Sequence, residues 1–277
     1  MLVGVGGRGD EFFYQNPLSD RGTHRRAPWF PCACCPPNLA RLLASLPAYL
    51  YSTGDDGLWV HLYAGSDVTA ELPGGLEVTL AQRTDYPWDG EVAIEVGPDR
   101  PADFTLYLPV PPRTPRPRVS VNGRELADLE VARGYLALRR TWRPGDSVRV
   151  TVDLAPRLLA AHPHVEDDLG RVALVRGPIV YCLEQADHDG ADVWDLRVPP
   201  DARWEERLDP QLLGGCVVLI TMGEVADPGS DAGHGPLYRD LSQDRPPRRR
   251  PRRLTAVPYF AWANREPGPM AVWVPLA

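Results

Sequence analysis

The sequence predicts a mainly β protein, with two antiparallel β-sandwich domains preceded by a short helical segment. Three observations predict it. The chain's 31 prolines and 25 glycines among 277 residues supply turns at a density that suits many short elements. From Leu58 onward, apolar and polar residues alternate with a period of two over many short runs. Only one stretch, "PPNLARLLASLPAYLYS", carries a helical period instead.

In chain order, residues 12–18, "FFYQNPL", suit one short strand, after which Asn16-Pro17 and "SDRGTHRRAP" break regularity. The helix comes next. Leu39, Leu42, Leu43, Leu46 and Leu50 recur at spacings of three and four, Pro37 suits the first turn, and Pro47 ends or kinks the regular part. The strands follow. In "LWVHLY", Leu58, Val60 and Leu62 face one way, with Trp59, His61 and Tyr63 opposite. "LEVTLAQ", "VAIEV" and "FTLYLPV" repeat the alternation, Asn122-Gly123 signals a two-residue hairpin, and "RPGD" turns the chain between "GYLALRRTW" and "SVRVTVDL". "APRLLAAHPHVEDDLG" suits a connector. A second β set then runs through "RVALVRG", "PIVYCLE", "CVVLITMGEV", "LTAVPYFAWAN" and "MAVWVPL", with a long polar loop ending in "PPRRRPRR". The expected domains are 1–54, 55–160 and 161–277.

Composition excludes several classes. Hydrophobic residues at 43% and charged residues at 24% describe a globular chain rather than a disordered one. A net charge of −7 gives no general attraction to nucleic acid or to an anionic membrane. No apolar run reaches the roughly 18 residues needed to span a bilayer, and the N-terminus lacks a basic region followed by an apolar core, so no secretory signal is expected. All 30 basic residues are arginine, a bias that codon usage in a GC-rich genome explains. Five cysteines make an odd number in a chain too large to need staples, so the default is a reducing cytoplasm.

Three of those cysteines stand within four positions, in "WFPCACCPPN". Buried thiols are ordinary core residues, and Cys182 and Cys216, in strand-like "IVYCLE" and "GCVVLI", fit that role. Cys32, Cys34 and Cys35 do not, because they precede a helix. A helix N-terminus carries partial positive charge, which favours the thiolate, and the thiolate is both nucleophile and metal ligand. Two thiolates converging on one soft ion give a reason for adjacent cysteines, and Zn²⁺ is the usual candidate. Two or three sulfurs do not close a four-ligand site. The remaining signals have plain explanations: "PPRRRPRR" as a solvated loop, the six histidines without metal-ligand spacing, and most tryptophans as packing residues.

"FFYQNPL", "HRRAPWFPCACCPPNLARLLASLPAYLYS", "VHLYAGS", "GRVALVRGPIVYCLE" and "LTAVPYFAWANREPGPMAVWVP" resemble glycoside hydrolase family 127, the β-L-arabinofuranosidase family, over nearly the whole chain. The resemblance implies the end of an (α/α)6 barrel followed by β-sandwiches. It implies zinc held by three cysteines and a glutamate, with one of those cysteines attacking the anomeric carbon and a second glutamate as general acid and base. By motif, Cys34 matches the nucleophile and a zinc ligand, Cys35 matches an adjacent zinc ligand, and Cys32 matches no functional position. The implied substrate is an L-arabinofuranoside or related sugar.

The sequence begins just ahead of the motif, and the third zinc cysteine and both family glutamates have no counterpart in it. Glu11, the only glutamate before the motif, is not identified as a substitute. The expectation is therefore a polypeptide inactive alone. It would have a leucine stripe left uncovered, and would associate with its own copies or with a separately encoded barrel. A second reading is a non-catalytic β-sandwich module that binds carbohydrate or a partner protein.

Overall fold

A computed structural model describes residues 4, 6–32, 34–112, 116–127, 129–226, 238, 240 and 248–277. They form two compact units, one of Cys34–Ala155 and one of Met1–Ala33 with Pro156–Ala277. Both are mostly β, and Cys35–Ser45 is the one α-helix among the described residues. No helix among them is long and apolar enough to cross a membrane.

In the unit Cys34–Ala155, two sheets share one core. The five-stranded sheet runs in the order Val131–Ala132, Tyr135–Trp142, Ala102–Pro109, Gly57–Val60, Tyr51–Gly54. The six-stranded sheet runs Ser66–Leu72, Leu76–Thr84, Glu91–Pro98, Asp146–Thr151, Arg118–Val121, Arg124–Glu125. The period-two residues supply the core. Leu58, Val60, Val78, Leu80, Val92, Ile94, Val96, Leu106 and Leu108 are all at most 1% exposed and pack around Trp142. Trp142 Nε1 donates to the Phe104 carbonyl at 3.0 Å, so the indole is buried without an orphaned N–H.

Pairing is antiparallel except where Gly57–Val60 lies parallel to Ala102–Pro109. A Cβ at Gly57 would stand 2.0 Å from the Thr105 carbonyl oxygen, so this close approach requires glycine. Asn122 and Gly123 have φ of 50° and 78°, the two positive values a tight hairpin turn needs.

The alternation in "LWVHLY" holds only to Val60, where the strand ends. The His61 N–H turns to the Leu50 carbonyl, Leu62 is left 43% exposed, and Tyr63 goes inward with its hydroxyl on the Pro109 carbonyl at 2.8 Å. Once the ladder stops, the period that depends on it stops as well.

In the second unit, ten strands form one curled network. Its main path is Ser19–Arg21, Pro269–Ala271, Ile179–Glu184, Arg249–Pro258, Cys216–Ala226, Leu196–Arg197, with Glu205–Asp209 also on Cys216–Ala226. Arg171–Arg176, one tight turn from Ile179–Glu184, pairs in addition with Pro156–Ala160 and Trp273–Pro275. Buried Tyr181, Leu219, Leu254, Trp262 and Met270 lie in its core.

Three local expectations change here. Residues 156–160 form a strand rather than a connector. Arg249 to Arg253 lie in a strand, because each faces a residue of Met222–Ala226; the rest of that polar stretch falls mainly outside the described residues. Residues 12–18 are not a strand: Phe12 makes a single bridge to Ala27, and the true strand, Ser19–Arg21, pairs with Pro269–Ala271.

Candidate active site at the cysteine motif

Cys34 occupies the N-cap of the helix Cys35–Ser45, with φ −79° and ψ −33°, and no side chain caps that end. The sequence explains why none is needed. Of the first four helical residues, Pro36 and Pro37 carry no N–H, so half of the donors a cap would satisfy do not exist. Cys34 and Cys35 are both exposed, neither is in a disulfide, and their sulfurs stand 3.7 Å apart.

That separation permits a test of metal fit. Two sulfurs at about 2.3 Å from a tetrahedral Zn²⁺ stand about 3.8 Å apart. The pair therefore matches one edge of a thiolate tetrahedron. Among the described residues, no group of three or more His, Cys, Asp or Glu side chains is placed to hold a metal. The fit is that of half a site, with the other two ligands not drawn from the described residues.

The helix itself buries no residue. Leu43 is 51% exposed and Leu46 38%, and Tyr49 in the following 3₁₀ turn Leu46–Tyr49 is 57% exposed. Of the leucine stripe, Leu43 and Leu46 are exposed and Leu39, Leu42 and Leu50 are partly covered.

Cys32 is exposed, at the end of the segment that folds with the C-terminal unit. Residues missed by sequence reasoning hold that segment. Glu184, 3% exposed, accepts from the Ala263 N–H at 2.7 Å and from Arg265 at 2.5 Å, and Arg265 also grips Asp187 at 2.7 Å. Burial pushes the Glu184 carboxyl above its ordinary pKa, against the pull of the Ala263 N–H and Arg265. The fixed Trp262 and Ala263 carbonyls accept both ends of the Arg26 guanidinium, at 2.8 and 2.7 Å, and Arg26 lies over Phe13, itself stacked on Trp262. The Tyr259 hydroxyl adds a bond to the Pro17 carbonyl. The only sequence signal for this network is a glutamate at the end of the apolar run "IVYCLE".

Cys182 and Cys216 are buried, and burial raises both thiols, Cys182 well above its ordinary value. They are packing residues, unlike the exposed motif cysteines. Glu11, half-buried, accepts the Gly6 N–H on its carbonyl oxygen and lies in the other unit from Cys34 and Cys35.

Comparison with known proteins agrees along the chain. Family models match residues 1–48 (beta-L-arabinofuranosidase, GH127 catalytic domain), 57–154 (GH127 middle domain) and 156–275 (glycoside hydrolase family 127 C-terminal domain). A non-reducing end beta-L-arabinofuranosidase of Bifidobacterium longum subsp. longum is 34% identical over 98% of this chain and 43% of its own length. The crystal structure of a GH127 beta-L-arabinofuranosidase from Geobacillus stearothermophilus T6 superposes with a TM-score of 0.91 at 40% identity, covering all of this chain and 44% of that one. A GH127 beta-arabinofuranosidase structure superposes at 0.86 and 34% identity, covering all of this chain and 44% of that one. These matches place the chain among the glycoside hydrolases. It belongs to glycoside hydrolase family 127, and it spans under half the length of these relatives.

Proposed function

We propose that this chain contributes the nucleophile and two zinc ligands of a retaining β-L-arabinofuranosidase-type glycosidase. The observation that carries the reading is the exposed Cys34–Cys35 sulfur pair, 3.7 Å apart at a helix N-terminus, within the segment that matches the family's catalytic domain. Cys34 and Cys35 would hold zinc, which keeps the coordinated sulfurs deprotonated near neutral pH. The helix end adds its partial positive charge in the same direction.

In the proposed reaction the Cys34 thiolate attacks the anomeric carbon of an L-arabinofuranoside. The C–O bond to the leaving group breaks as the C–S bond forms, and a carboxylic acid protonates the departing oxygen. Water, deprotonated by the same carboxylate, then displaces sulfur with a second inversion, so configuration is retained. Among the described residues no group of three or more ligands is placed to complete the metal site, so the chain by itself is expected to be inactive.

The test is a chimera that supplies the remaining length of the Geobacillus relative. It should hydrolyse p-nitrophenyl β-L-arabinofuranoside, and Cys34→Ser should lower kcat at least about a thousandfold, as loss of a covalent nucleophile does. A Cys34→Ser chimera as fast as its parent would reject the assignment.

A further inference from the structure

The outer face of the six-stranded sheet carries a depression of about 560 Å³, which continues into a second of about 340 Å³ through shared Ser120, Gly123 and Arg149. The register explains its shape. Ala81, Ala93, Ser147 and Ser120 are among the outward positions on the central strands, where an exposed sheet ordinarily carries β-branched or long side chains. Glu95 stands between Ala81 and Ser147 in one row; Ala93 stands between Arg83 and Arg149 in the next. Two strand spacings put those arginine backbones about 10 Å apart.

The charges select the ligand class. Arg83 is paired with Asp67 at 2.8 Å and Arg149 loosely with Glu91 at 3.7 Å, while exposed Glu95 has no ion-pair partner among the described residues. Across the two depressions Arg83, Arg118 and Arg149 stand against Glu91, Glu95 and Glu125, so the lining carries no net charge and favours neither an anion nor a cation. A neutral polyhydroxylated chain can donate hydroxyls to Glu95 and accept from both guanidiniums and the Ser120 and Ser147 hydroxyls. The two joined depressions suit several sugar units better than one.

We propose that this groove is an accessory oligosaccharide-binding site, separate in sequence from the cysteine motif; the sugar class rests on the family's chemistry, and the site does not depend on the Cys34 mechanism. The groove is open and its lining offers no aromatic platform, so weak binding is expected.

The test is titration of the isotope-labelled chain with arabinotriose, read by backbone amide shifts. Saturable shifts should cluster on Leu76–Thr84, Glu91–Pro98, Arg118–Val121 and Asp146–Thr151. Glu95→Ala should weaken binding about tenfold, the effect of losing a hydrogen bond to a charged group, and Ala93→Leu, which fills the floor, should abolish it. Cys34→Ser should bind like the parent chain. Unsaturable shifts, shifts centred on residues 34–45, equal binding by Glu95→Ala and Ala93→Leu, or loss of binding in Cys34→Ser would each overturn the proposal. The amide shifts decide the matter whether or not the chimera turns over substrate.

Discussion

Asp146→Ala should destabilise the unit Cys34–Ala155 by about 2–3 kcal/mol at neutral pH. Asp146 is 8% exposed and ties two turns together. One carboxylate oxygen accepts from the Asn122 amide at 2.8 Å, next to the hairpin Asn122-Gly123, and the other accepts from the Arg143 N–H at 2.9 Å, inside the turn "RPGD". Hydrogen bonds to a charged acceptor contribute about 1.5–3 kcal/mol each. Both bonds are only part-buried, in turns at strand ends, where water reaches a released donor, so the lower end of that range applies.

Burial alone would raise the Asp146 pKa, but the Asn122 amide and the Arg143 N–H outweigh it and hold the carboxyl below its ordinary value. A depressed folded pKa means that the stabilisation is complete above the unfolded value of about 3.9 and is lost as pH falls through the folded one. The penalty of Asp146→Ala should therefore shrink at acid pH. Hydrogen exchange of the Val92, Ile94 and Val148 amides through a urea series reads this unit specifically. A penalty below about 0.5 kcal/mol, the scale of an ordinary surface substitution, or one that does not change between neutral and acid pH, would refute the reasoning.

Three further outcomes test other parts of the molecule. His188 is fully buried; its Nε2 accepts the Thr255 N–H, so Nδ1 carries the proton and donates to the Glu184 carbonyl at 2.7 Å. Burial lowers its pKa, so as pH falls below about 6.5 the unfolded chain takes a proton first, and the C-terminal unit loses stability. His188→Phe should cost about 2 kcal/mol at pH 7 and flatten that slope in a urea midpoint-against-pH series. Gly57→Ala should destabilise the sandwich by about 3 kcal/mol, since the Thr105 carbonyl must move, and a thermal melt shows it. Leu43→Glu, on the exposed part of the leucine stripe, should change stability by less than about 0.5 kcal/mol while reducing concentration-dependent association in sedimentation velocity.

The parts of the fold that could be read in the sequence are those set by near neighbours in the chain. Alternation in "LEVTLAQ", "VAIEV" and "FTLYLPV" depends only on which pleat faces the core, and Leu80, Ile94 and Leu106 are buried as that rule requires. Asn122-Gly123 carries its own turn conformation, and the leucine spacing with Pro36 and Pro37 at its start carries the helix. The errors arise where a partner lies far away. Ser19–Arg21 is a strand only because residues 269–271 reach it, and Arg249 to Arg253 are straightened by Met222–Ala226. The cysteine motif is recognisable from four positions, and the 3.7 Å separation of its sulfurs gives that recognition a geometry. The Glu184 network and the outer groove are not legible in the sequence, because each is assembled from residues on separate segments that only the tertiary pairing brings together.

One unit is built from Met1–Ala33 and Pro156–Ala277, with Cys34–Ala155 inserted between them. On a ribosome this imposes an order. The inserted sandwich has all its strands once Ala155 has emerged. Arg26, by contrast, waits for its carbonyl partners 236 and 237 residues downstream, roughly 10–50 s at ordinary elongation rates. The segment up to Cys32 thus stays undocked from its own unit while the sandwich that carries Cys34 and Cys35 already has all its strands.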